Sequence, residues 1–92
     1  HLYKRLVYVF EFSDNSAYVG LTDNSNRRYL EHLKRGPVSK HILKCPTFIY
    51  KELSDYIDSG DAQELEHNTK LEYINNSWKI LNKGKTGRNK IK

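Results

Sequence analysis

Two tyrosines ten residues apart, Tyr8 and Tyr18, an arginine and a histidine one helical turn apart, Arg28 and His32, and an inward-turned carboxylate, Glu66, are the side chains of this 92-residue chain whose types and spacing could act on one substrate. The set matches phosphodiester hydrolysis. That reaction needs a base to take a proton from water, a cation against the charge that builds on the phosphoryl oxygens, and usually a hard metal ion held by carboxylate. Arginine offers a bidentate phosphate contact, glutamate an oxygen ligand suited to Mg²⁺, and tyrosine or histidine the proton transfer. Gly20, with no side chain between Tyr18 and Thr22, leaves space for a phosphate to approach the sheet. Each residue also has an ordinary alternative. Aromatics are common in strands, Arg28 and His32 could be plain exposed helix positions, and Glu66 could pair with Lys70 four residues on. Gly20 could mark a bulge. Asn82 carries no chemistry unaided. His41 and Cys45 are four apart on a helix, but two ligands make no zinc site.

These side chains depend on the elements that hold them. Leu6 to Phe12 and Ala17 to Thr22 read as the strands of a β-hairpin. A three-residue loop, Asp14 to Ser16, sets Ser13 opposite Ala17. Tyr8, Phe10 and Phe12 then share a face with Tyr18, Gly20 and Thr22, while Val7, Val9, Ala17, Val19 and Leu21 build an aliphatic face. Asp23 to Asn26 offers helix caps, Arg27 to Arg35 has no breaker, and Gly36-Pro37 stops the helix. On it Tyr29, Leu30 and Leu33 point one way and Arg28, His32 and Arg35 the other. Val38 to Lys44 reads as a short basic helix ended by Pro46, and Thr47 to Leu53 as a third strand. A longer helix opens at Asp58 to Asp61, with Asp61 and Glu64 spaced as a capping box. Its inner stripe is Ala62, Leu65, Thr69 and Tyr73, with Glu66 among them. Leu71 and Ile74 lie off that stripe and predict cover on more than one side. Asn75 to Ser77 ends the helix, and Trp78 to Leu81 is a short extended or docked segment.

Composition sets the outer bounds. The net charge of +5 is segregated: residues 1–51 carry +5, 52–82 carry −5 and 83–92 carry +5. A basic face with a basic tail suits a polyanion such as nucleic acid, or is simply a solvated surface. The longest apolar run, Leu6 to Phe10, is far short of the about 20 residues that span a membrane, so no membrane partner is expected. A single cysteine excludes an internal disulfide and points to an intracellular, reducing compartment. The chain opens at His1 without a methionine, and the expectation is a piece of a longer protein.

The tripeptides Val7-Tyr8-Val9 and Tyr18-Val19-Gly20 resemble the two signatures of the GIY-YIG nuclease family. Arg28 lies eight positions past Gly20 and His32 four beyond it, as in the family's first helix. The later helix with Glu66 and Tyr73, then Ser77 to Asn82, is similar to the family's metal-binding glutamate and trailing asparagine. The first tripeptide lacks the usual Gly and Ile, and Leu21 stands where some members have lysine. The resemblance covers residues 6–82 and implies an α/β (α+β) domain, 1–82, with a small three-stranded antiparallel sheet flanked by helices, followed by a basic tail or linker, 83–92. It implies a DNA endonuclease using Mg²⁺ or Mn²⁺, the catalytic module of a homing or phage-type nuclease whose DNA-targeting domain is absent from this chain. Carried over, Tyr8 is the general base, His32 its proton relay, Tyr18 a phosphate or water positioner, Arg28 the transition-state cation, Glu66 the metal ligand and Asn82 a support. Gly20, Arg27, Lys34, Arg35, Lys40 and His41 would meet the double-stranded DNA. The alternative is a non-catalytic nucleic-acid-binding module of the same fold.

Overall fold

The computed structural model describes residues 3–82, and the expected basic tail, 83–92, lies outside them. The elements run β1 (Lys4–Phe12), β2 (Ser16–Thr22), α1 (Ser25–Lys34), α2 (Pro37–Lys44), β3 (Phe48–Glu52), β4 (Ile57–Asp58), α3 (Ser59–Asn75) and β5 (Lys79–Ile80). The fold is α+β. The antiparallel sheet β3-β1-β2 is the expected one, but it is larger than three strands: β5 joins β2 in parallel and β4 pairs with the start of β1. Both additions are two residues long, too short to show a periodicity. No helix among the described residues is long and apolar enough to cross a membrane.

The hairpin register differs from the expected one by two residues. Tyr8 lies opposite Gly20 and Phe10 opposite Tyr18. The reason is in the turn. Asn15 takes a left-handed conformation (φ 66°) and its N–H donates to Phe12 O at 3.1 Å, so the loop is Ser13-Asp14-Asn15 and Ser16 starts the next strand. A shift by an even number leaves every side chain on its expected face. One cluster therefore joins Leu6, Tyr8, Phe10 and Phe12 to Val38 of α2 and Tyr29 of α1, and a second joins Val7, Val9, Ala17 and Val19 to Ala62 of α3. Helices α1 and α2 cover the first face, α3 the second.

Asn24 caps α1, accepting from Arg27 N–H at 3.1 Å. This helix is turned away from the orientation its leucines suggest: Leu30 and Leu33 are 55% and 39% exposed, and His32 is buried. It docks on aromatic rings, where Tyr29 stacks on Phe10 at 5.7 Å and His32 meets Phe10 edge-on at 5.3 Å. An imidazole with a hydrogen-bond partner there displaces the leucines. Helix α3 is capped by Asp58, which accepts from Gly60 N–H at 3.2 Å, rather than by an Asp61–Glu64 box. It buries Ala62 and Thr69 and leaves Leu71 and Ile74 exposed, so one side is covered and not two. Ser77, at φ 69°, reverses the chain after the helix. Leu81 N–H then reaches Ala17 O at 2.8 Å, laying the segment along β2.

Candidate active site

Because β1 and β2 alternate, one face of the hairpin gathers phenols and α1 lowers His32 onto them. The Tyr8 hydroxyl is 2.7 Å from His32 Nε2, and both residues are buried. Burial raises the Tyr8 pKa well above the ordinary phenol range; Tyr18 adds to this, and Arg28 opposes it without prevailing. Desolvation therefore outweighs the neighbouring guanidinium, and the Tyr8 phenol stays protonated. His32 is pushed down to about 4, by burial first and then by Arg28, with Glu31 pulling the other way. Near neutral pH both are uncharged, so Tyr8 O–H donates and Nε2 accepts.

Tyr18 stacks on Tyr8 with ring centroids 6.5 Å apart and meets His32 edge-on at 4.8 Å. Its pKa is raised by burial, countered by Arg28 and reinforced by Glu66, so α1 presents a cation and α3 an anion to the same phenol. The Arg28 pKa is held up by the neighbouring Tyr8 hydroxyl against the effect of burial, and by Glu31. Arg28 Nη1 donates to Glu31 Oε1 at 3.0 Å. Glu31 was not singled out in the sequence, although its spacing of three from Arg28 was the available signal.

Glu66 is half-buried, with Oε2 3.4 Å from Lys70 Nζ, whereas Glu64 is exposed. Facing therefore separates the two acids. Asn82 grips β2 like an extra strand residue: its Oδ1 accepts from Val19 N–H at 3.1 Å and its Nδ2 donates to Val19 O at 2.6 Å. That anchors the backbone between Tyr18 and Gly20. The space above Gly20 is not left to a phosphate as expected, because a Cβ there would lie 2.6 Å from Tyr8 Cζ. Glycine at this position admits the phenol.

Arg5 and Tyr3, which the sequence reading passed over, line a cleft of about 230 Å³ with Thr22, Arg27 and Arg28. Arg27 is shared with Asp23 at 3.2 Å and Glu31 at 3.8 Å. Lys34, Arg35 and Lys40 are exposed and make no ion pair among the described residues. His41 is turned inward instead, its Nε2 2.9 Å from Asp14 Oδ2.

A phenol–imidazole pair, a guanidinium beside it and a carboxylate across a second phenol make a site able to move a proton next to a phosphate. A family model described as the GIY-YIG catalytic domain matches residues 4–89, and the chain belongs to that family. Members of the family are endonucleases that act on nucleic acid and depend in general on a metal ion. No solved structure matches the chain.

Proposed function

We propose that this domain hydrolyses phosphodiesters of double-stranded DNA with Tyr8 as general base and His32 as the acceptor of its proton. The Tyr8–His32 hydrogen bond of 2.7 Å carries this reading, since it joins a phenol held neutral to an imidazole held neutral. A phenol so buried does not ionise ahead of the reaction. It takes a proton from the attacking water as it hands its own to His32 Nε2, staying neutral throughout. The imidazolium that forms is offset by the charge of the phosphate. Arg28, free to exchange Glu31 for the phosphoryl oxygens, opposes the charge that builds there. Tyr18 orients the water or the phosphate.

Glu66 fits a hard ion: it is a single half-buried carboxylate, and its Lys70 partner is itself partly exposed and can swing away. One carboxylate leaves such an ion most of its waters, as Mg²⁺ prefers. Glu66 would hold Mg²⁺ or Mn²⁺, which would supply positive charge against the negative charge that builds during phosphodiester cleavage. Arg5, Arg27 and Arg28 around one cleft, with Lys34, Arg35 and Lys40 beyond, suit the phosphate backbone, which binds without sequence information. Sequence specificity is accordingly low, and targeting falls to a covalently linked DNA-binding domain, as in a homing or phage-type nuclease. The free thiol of Cys45 suits an intracellular setting.

Plasmid DNA incubated with the protein and Mg²⁺, Mn²⁺ or EDTA tests the assignment. Nicking should require the metal, fall by about 10²- to 10³-fold in Arg28→Ala, and vanish in Glu66→Ala. Gel retardation with no nicking in either metal would overturn it in favour of a binding module.

A further inference from the structure

We propose that Asp14, His41 and Cys45 form a second metal site, for Zn²⁺ or another thiophilic divalent cation, which ties the β1–β2 turn to α2. His41 and Cys45 supply two donors from the end of α2. The three-residue turn brings the third, which sequence spacing alone does not reveal. One donor atom from each residue lies within 4.8 Å of the other two, and His41 Nε2 is 2.9 Å from Asp14 Oδ2. Zinc bonds of roughly 2.0–2.3 Å place tetrahedral ligands about 3 to 4 Å apart. Small side-chain rotations therefore convert this cluster into a coordination shell.

The surroundings already orient the donors as an outer shell does. Asp14 Oδ1 is occupied by Ser16 N–H at 3.1 Å, which turns Oδ2 toward His41. The His41 ring is fixed edge-on against Phe12, with centroids 4.6 Å apart. Cys45 Sγ is 3.2 Å from Ser13 Oγ. A thiolate, an imidazole and a carboxylate favour zinc-like ions over Mg²⁺, the reverse of the preference at Glu66. Three protein ligands leave a fourth position for water. Binding releases the Cys45 thiol proton to solvent and takes His41 in its neutral form. Four residues of β1, about 13 Å of strand, separate Tyr8 from Phe12, the last residue before the turn, so the two sites are separate. A bound ion would clamp together segments between which β2 and α1 intervene, and would stabilise the native state by mass action.

Cys45 is the chain's one cysteine, so any thiolate signal reports this site. Titrating Co²⁺ into the reduced, metal-free protein should raise a thiolate-to-cobalt charge-transfer band that saturates at one equivalent and is abolished by excess Zn²⁺. The band should disappear in Cys45→Ser, and Co²⁺ affinity should drop at least tenfold in His41→Ala and Asp14→Asn. It should persist in Glu66→Gln, which distinguishes this site from the proposed nuclease centre. Zn²⁺ should raise the melting temperature of the wild type and not of Cys45→Ser, with circular dichroism confirming that each variant is folded. Absence of the band at stoichiometric Co²⁺, or a band that survives His41→Ala with unchanged affinity, would overturn the site.

Discussion

Val7, Val9, Ala17 and Val19 meet Ala62 of α3 through aliphatic side chains, whereas Tyr8, Phe10 and Tyr18, alternate residues of the same strands, present aromatic rings, two of them phenols, to the Tyr29 ring and His32 imidazole of α1. Both faces exclude water, with opposite consequences. On the aliphatic face burial is favourable in proportion to area. On the aromatic face it removes polar groups from water, and the penalty is offset only where they pair. Tyr8 and His32 pair with each other; the buried Tyr50 hydroxyl, on the same face, has no partner among the described residues. Period-two alternation thus sets the Tyr8–His32 pair on one side of the hairpin and an aliphatic cluster on the other, at whose edge Tyr73 of α3 donates to Glu11 and has its pKa raised by burial and by that carboxylate.

The sharpest separation of the faces is in acid. The His32 pKa in the folded state, about 4, lies below its ordinary value of 6.5, so between these pH values the unfolded chain binds more protons. Stability is full above about pH 6.5 and declines as pH falls through 4, by about 3 kcal/mol in total from this residue. Urea unfolding at pH 7 and pH 4 should show that decline in the wild type and a smaller one in His32→Gln. Equal declines would remove the distinction between the faces. Val9→Ala probes the other side. It should lower stability by about 2–3 kcal/mol with little change in the nicking rate per folded molecule, and a large loss of rate would show the faces to be coupled. Gly20→Ala should do both, because its Cβ strikes the Tyr8 ring. Overpacking of this kind costs about 1–3 kcal/mol, and displacing the phenol should slow nicking as well; an unchanged rate would mean that the Tyr8 position is not critical.

Much of this was readable in advance because alternation and helical facing are local. Tyr8 and Tyr18 share a face in any even register, and the facing of Glu66 follows from Ala62 and Thr69 one turn to either side. What escaped depended on contacts distant in sequence. The register turns on Asn15 accepting a left-handed conformation, which several turn types allow in such a loop. Which side of α1 is buried could not be read from its leucines, because an aromatic surface with a hydrogen-bond partner takes Tyr29 and His32 and leaves Leu30 and Leu33 exposed. Arg5 enters the cleft, and Asp14 joins His41 and Cys45, only once the hairpin and helices are packed. The capping box was misplaced since Asp58 and Asp61 are both competent caps three residues apart.

Tyr8→Phe tests the account most directly, because it keeps the ring over Gly20 and removes only the oxygen bonded to His32. Single-turnover nicking by this variant should fall by about 10²- to 10⁴-fold while far-ultraviolet circular dichroism still reports a folded domain. Nicking at the wild-type rate by Tyr8→Phe would contradict the assignment of the aromatic face to proton transfer.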